Sequence, residues 1–274
     1  MFFYPEPVSL LFTMTLFISS GLLFWVQPMM SKMLLPLLGG VPAVWNTCLV
    51  FYQGALLAGY GYAHLTSKTL TLRAQVILHL LVLWLAFFGI SFSLNPLAVN
   101  PFSPVLSVFR LLLGTIGFPF FTLAATTPML QRWLSRTTHP DAKNPYILYA
   151  ASNAGSFLAL LSYPLLLEPF LRLHTQNQAW YAGYGLLAIL LSVSIVGMWN
   201  KEQEKRTVTI QPIEGGIRRR LHWLILGFIP SSLLLGVTNH ITTDISPIPL
   251  FWVVPLSVFL LTFVLVFARK QIIP

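Results

Sequence analysis

The chain alternates long apolar runs with short polar connections. Several runs reach the ~18–20 residues that a helix needs to cross a bilayer. The pattern predicts an all-α fold, a polytopic transmembrane helical bundle with about eight spans. The predicted spans are 9–34, 43–64, 74–95, 104–134, 146–168, 177–199, 221–243 and 249–268.

Composition agrees with this pattern and narrows the class of protein. Hydrophobic residues make up 56% of the chain and charged residues 8%, about a third of the charge usual in a soluble domain. The composition excludes a water-soluble globule and makes the lipid bilayer the first expected partner. Cys48 is the single cysteine, which excludes an internal disulfide and any multi-cysteine metal site.

The distribution of basic residues predicts the orientation in the membrane. The net charge is +9, but the basic residues lie in short loops and form no basic face, so we expect no nucleic-acid partner. Thirteen of the sixteen Lys and Arg residues fall on one side of the predicted spans, and Lys32, Arg110 and Arg172 fall on the other. By the positive-inside rule both termini are cytosolic.

The spans divide into two groups around one polar stretch. Residues 1–199 form a six-helix membrane unit, 200–220 a charged cytosolic linker, and 221–274 a two-helix start of an incomplete second half. This order, six helices, a long loop and then further helices, is typical of facilitator-like transporters. Ser19-Ser20 is followed by Pro42-x-x-Trp45, and Ser231-Ser232 is followed by Pro249-x-x-Trp252. This recurrence indicates a parallel repeat. The alternative is that proline and tryptophan merely recur at membrane interfaces.

Four segments resemble one known family. They read PLLGGVPAVW (36–45), YQGALLAGYGYAH (52–64), LYAASNAGS (148–156) and IPLFW (248–252). They resemble the membrane portion of the fused major-facilitator/spermidine-synthase-like proteins of bacteria. The resemblance implies a facilitator-type domain in the bacterial inner membrane, followed in long members by an aminopropyltransferase-like domain. The sequence contains no glycine-rich dinucleotide loop after a strand, so we expect neither enzymatic activity nor a cofactor.

Polar residues near the outer ends of the spans form the first candidate site. Charged groups inside a membrane cost about 2.5–3.5 kcal/mol each on insertion scales, so each needs a partner or a function. We interpret the set as an outward-facing polar cavity that binds an anion or a cation, with Arg110 paired to an acid on helix five or seven. The alternative is interfacial residues that reach water or join helices. The set is Gln27, Lys32, Arg110, Glu168, Asn239, His240 and Asp244.

A second candidate set lies near the middle of the membrane. It consists of Gln53, Thr126, Thr127 and Asn153, which either join helices by hydrogen bonds or contact a substrate. Nearby, Ala55-x-x-x-Gly59 and Ala151-x-x-x-Gly155 predict close helix approach. His79 lies inside its span, where a hydrogen-bonded histidine is favoured over a haem ligand.

Three functions follow from these observations. The first is a transporter-like domain for a small polar or charged solute. The second is a non-transporting accessory subunit of a membrane complex, and the third is the membrane anchor of an aminopropyltransferase-like enzyme. We expect helices seven and eight to pack through 239–244 and to leave an apolar face uncovered for partner subunits, a second copy or further residues of this chain. That face includes Phe251, Val254, Phe259, Phe263 and Val266, with Ser257 and Thr262.

Overall fold

The computed structural model describes residues 7–39, 42–94, 100, 103–135, 146–199, 216–241, 244 and 253–266. These residues form eight helices and no strand, which confirms an all-α helical bundle. The helices are α1 (Pro7–Leu38), α2 (Pro42–Thr69), α3 (Leu72–Phe88), α4 (Pro104–Ser135), α5 (146–170), α6 (Leu173–Trp199), α7 (Gly216–His240) and α8 (Val253–Val266).

Five of the described helices, α1 and α4 to α7, are long and apolar enough to cross a membrane. The helices α3 and α8 are equally apolar but shorter, at 17 and 14 residues. The predicted spans and the observed helices coincide in number and order. Helix α7 begins at Gly216, inside the stretch expected to be linker, and residues 200–215 lie outside the described part.

Local sequence explains several helix ends and irregularities. The Thr71 hydroxyl accepts a hydrogen bond from the Ala74 N–H and so caps α3. Helix α1 ends at Gly39, whose φ of 74° is a left-handed conformation that glycine adopts without steric cost. Helices α4 and α5 each contain one π-helical turn, at Leu113–Gly117 and Tyr163–Leu167, of the kind often found at functional sites.

The first six helices pack as two equivalent groups of three. Helix α1 packs on α4, α5 and α6, while α4 packs on α1, α2 and α3, and α3 also packs on α6. If α1, α2 and α3 are exchanged with α4, α5 and α6, the contact of α1 with α5 becomes that of α4 with α2, and the contact of α1 with α6 becomes that of α4 with α3. The contacts of α1 with α4 and of α3 with α6 are unchanged by the exchange. This exchange relation indicates an internal repeat of three helices.

In the first group, α2 approaches α4 most closely at Gly59. A Cβ added there would lie 2.7 Å from the Ala124 Cβ and 2.9 Å from the Phe121 carbonyl oxygen. The Phe51 ring also meets Phe109, with ring centroids 5.9 Å apart. Since residue numbers rise together along both helices, α2 and α4 run parallel.

In the second group, α5 approaches α1 in the same way at Gly155. A Cβ there would collide with the Phe17 carbonyl oxygen and lie 2.8 Å from the Ser20 Oγ. Lys32 and Glu168 meet further along, so α5 and α1 also run parallel. Helix α2 follows α1 after a three-residue connection and is antiparallel to it. Because α4 is parallel to α2, α4 is antiparallel to α1. The repeat therefore has inverted topology.

Helix α8 packs on α5 through a small second core. Val253 and Leu260 are buried there against Leu160. Ser257, expected on the uncovered face, is 5% exposed and lies within the packed helix surface. The opposite face is uncovered as expected, with Val254 and Val266 exposed.

Helix α7 contacts the rest of the described chain chiefly through α8. Only 6% of its membrane-length window is buried. Asn239 and Asp244 are exposed. Within the described part α8 provides the packing surface on α5, and residues 242–243 lie outside that part, so the expectation that the 239–244 segment docks the last two helices stays a prediction.

Candidate functional site

An ion pair joins α1 to α5 near the C-terminal ends of these helices, the ends that the sequence predicts to be outer. The Lys32 ammonium donates to the Glu168 carboxylate at 2.9 Å, and both side chains are about one-third exposed, at 34% and 32%. Glu168 follows the π-helical turn of α5 directly. The outer ion pair, as we name Lys32 and Glu168, places a positive and a negative group together where solvent reaches both.

Gln27 lies in the same part of α1 but does not line an open cavity. It is 4% exposed, and its side-chain amide donates to the Leu23 carbonyl of its own helix at 3.2 Å. Its backbone carbonyl accepts the Tyr52 hydroxyl at 3.1 Å and the Ser31 hydroxyl at 2.8 Å. Gln27 therefore holds α2 against α1 beside Pro28, where the helix lacks one backbone donor.

Four of the buried polar atoms without a hydrogen-bond partner in the described part of the chain lie on α1, α5 and α6, the helices that meet at the outer ion pair. Three of their residues fall in sequence between that pair and the hydrogen bond from the Trp180 indole to the Leu22 carbonyl, at 2.9 Å, and Tyr163 lies five residues before Glu168 on α5. A buried unpaired donor or acceptor costs about 1–3 kcal/mol, so these atoms define a place where a polar guest would be stabilised. They are Trp25 Nε1, Tyr163 OH, Gln176 Oε1 and Asn177 Oδ1.

The remaining residues of the predicted outer cavity do not join this cluster. Asp244 pairs with His240 of the same polypeptide turn at 2.6 Å, with both side chains more than half exposed. Asn239 is exposed on α7. Arg110 is exposed on α4 and forms no ion pair with any described residue. The predicted pairing of Arg110 is wrong, because Glu168 binds Lys32 and Asp244 binds His240.

A buried polar column begins where the C-terminal ends of α2 and α4 meet the N-terminal end of α3. The Gln75 amide donates to the Ser67 hydroxyl at 2.8 Å and to the Thr66 hydroxyl at 3.0 Å. Its carbonyl oxygen accepts the Trp133 indole N–H at 3.1 Å. Gln75 thus ties three helices together, a role that the sequence prediction missed.

The column continues toward the membrane centre at His79. The His79 Nε2 lies 3.1 Å from the Thr126 hydroxyl, which itself donates to the Thr122 carbonyl at 2.8 Å. Since that hydroxyl proton is already used, we assign His79 Nε2–H as the donor of this hydrogen bond. The Thr122 hydroxyl bonds in turn to Tyr184 on α6. His79 and Thr126 are thus hydrogen-bonded to each other between α3 and α4.

The other residues of the midplane set are separate from this column. Gln53 is exposed on α2, and Thr127 is partly buried. The Asn153 amide donates to the Tyr149 carbonyl of its own helix at 2.8 Å. Only Thr126 of the four predicted midplane residues is seen to join helices.

Comparisons of this chain with protein-family models, with curated proteins and with solved structures find no match.

Proposed function

We propose that this chain is a transporter-like membrane domain for a small polar or charged solute. The observation that carries the proposal is the inverted three-helix repeat, in which Gly59 against α4 corresponds to Gly155 against α1. Nested inverted repeats of three helices build each half of facilitator transporters. The sequence resemblance to facilitator-type membrane domains supports the same function.

Transport in such proteins requires a second bundle that rocks against the first. Within the described chain, helix α8 makes the contact expected between the first bundle and a second one, because it covers α5 at Phe157 and Leu160. Counting from the matched glycines, Phe157 and Leu160 correspond to Gly61 and His64 of α2. A Cβ added at Gly61 would meet no atom within 4 Å, and His64 is exposed. We propose that a further helix, equivalent to α8, docks on this surface of α2.

The outer ion pair indicates the class of solute. A cation and an anion held 2.9 Å apart match a zwitterion, whose carboxylate would bind Lys32 and whose ammonium would bind Glu168. The buried polar atoms of Trp25 and Tyr163 lie next along α1 and α5. A solute that exchanges with the ion pair would gain hydrogen bonds there.

Thermal unfolding of the purified protein with a solute panel tests this proposal. We expect zwitterionic amino acids to raise the Tm more than simple amines or carboxylates do, and Lys32→Gln with Glu168→Gln to abolish the shift. Arg110→Gln is the matched control, because this exposed charge lies at the same end of the bundle and should leave the shift unchanged. A panel without any stabilising solute would contradict the proposal, as would equal shifts in the double variant.

A second candidate function is an accessory subunit of a membrane complex. The observation that favours it is the exposure of α7, which buries only 6% of its membrane-length window. Mass measurement of the protein in mild detergent separates the two functions. A monodisperse monomer that binds solute supports the transporter-like domain, whereas a defined hetero-oligomer without solute binding supports the subunit.

A further inference from the structure

Helix α7 carries a compact basic patch at its first two turns. Arg218, Arg219 and His222 lie there with Leu221 and Ile225 around a cavity of about 510 Å³. All of these residues are exposed, and the patch is separate from the outer ion pair and from the polar column. Neither proposed function uses it.

The patch has a polarity that changes along the helix. Arg218, Leu221, His222 and Ile225 follow the i, i+3, i+4, i+7 spacing and therefore share one face. Two arginines lie nearest the start of α7 and Ile225 lies nearest its centre, with Leu221 and His222 between them. The cavity is thus cationic at one end and apolar at the other.

Trp223 places this patch at the membrane surface. The Arg219 guanidinium lies 5.2 Å from the centre of the Trp223 ring, a cation–π distance. Tryptophan prefers the level of the lipid headgroups, so the basic groups lie beside lipid phosphates. By the positive-inside rule this is the cytosolic leaflet, where anionic lipids are concentrated.

From these observations we propose that the first two turns of α7 bind an anionic phospholipid. Its phosphate would contact Arg218, Arg219 and His222, and an acyl chain would lie along Leu221 and Ile225. The charges complement the headgroup and the apolar residues complement the chain, whereas a free phosphate would use only the basic end. A lipid bound here would also stabilise α7, which is little covered by the rest of the described chain.

Native mass spectrometry of the full chain in mild detergent tests the proposal directly. Phosphatidylglycerol, phosphatidylcholine and inorganic phosphate are the probes. We expect phosphatidylglycerol to bind in preference to phosphatidylcholine. Arg218→Gln and Arg219→Gln should each weaken its binding about fivefold, which corresponds to about 1 kcal/mol per basic residue near a membrane surface. Added salt should weaken the binding of the native protein, because the contact is electrostatic and exposed.

Two further arms identify the ligand and control for folding. Ile225→Asn should weaken lipid binding without changing phosphate binding, and Arg218→Lys should retain most of the lipid binding because it keeps the charge. Arg110→Gln, at the opposite end of the bundle, should bind lipid normally. Equal binding of both lipids, displacement of the lipid by inorganic phosphate, or an equal loss in the Arg110 variant would overturn the proposal. The salt and lipid comparisons on the native chain decide the question even if a variant fails to fold.

Discussion

The close approach of α5 to α1 makes Gly155→Ala the sharpest single test of the bundle. The added methyl group would collide with the Phe17 carbonyl oxygen and lie 2.8 Å from the Ser20 Oγ. Because the first contact is with backbone, no side-chain rotation relieves it. The two helices would have to separate.

The expected magnitude combines two opposing effects. Overpacking a close contact costs about 1–3 kcal/mol, and a backbone clash places this site at the upper end. Alanine offsets about 1 kcal/mol of that cost, since it is the better helix former. We expect a net loss of about 2 kcal/mol, or a Tm lower by about 4–8 °C on the scale of proteins of this size.

Two glycines of α2 provide a matched comparison. Gly54→Ala meets no atom within 4 Å and should leave the stability unchanged or raise it slightly. Gly59→Ala should behave like Gly155→Ala, because its methyl group would lie 2.7 Å from the Ala124 Cβ. The assay is thermal unfolding of each purified variant in one detergent. If Gly155→Ala is as stable as Gly54→Ala, the packing argument fails, and if only one of the close-contact variants is destabilised, the equivalence of the two repeats fails.

Further predictions concern the outer ion pair, the polar column and the topology. Glu168→Gln should lower the free energy of unfolding by about 1 kcal/mol or less, because the pair is one-third exposed, and a double-mutant cycle measures the coupling. Gln75→Leu leaves the buried Trp133 indole N–H unpaired and should lower the free energy of unfolding by about 1–3 kcal/mol in the same assay. The control Gln53→Leu, at an exposed position of α2, should change it little. Single cysteines at Lys68 and Arg172, in a chain whose native cysteine is replaced by serine, should label oppositely with a membrane-impermeant reagent; labelling of both from outside would contradict the topology.

Helix number and order could be predicted because lipid imposes a simple condition on sequence. A spanning segment needs about twenty apolar residues, and that condition is visible without knowing any neighbour. The ends were less predictable. Helix α7 starts within charged sequence because arginines are good helix formers and their side chains can reach the membrane surface.

Partner choice could not be predicted from depth alone. Lys32 and Arg110 were assigned to the same level, yet Lys32 faces α5 and Arg110 is exposed on α4. Depth follows from position along a helix, whereas contact depends on the rotation of that helix and on its neighbours. The sequence pattern contains the first quantity and only weak information about the second.

The Gln75 contacts were predictable in principle. Helices α2 and α3 are joined by two residues, 70 and 71, so they form an antiparallel pair with a known register. In that register Thr66 and Ser67 lie opposite Gln75, and a single glutamine in an apolar run needs such partners. The contact to Trp133 comes from α4 and has no comparable local signal.

The uncovered surfaces of α2 and α7 do not carry equal weight. Lipid solvates an apolar helix face without a hydrophobic penalty, so the open space around Gly61 of α2 does not by itself require a partner. Ser231 on α7 donates to the Gly227 carbonyl of its own helix and likewise requires none. The α2 surface differs because its repeat equivalent on α5 is covered by α8. This difference between two equivalent surfaces is the reason for proposing that a further helix docks on α2, as a two-bundle transporter would require.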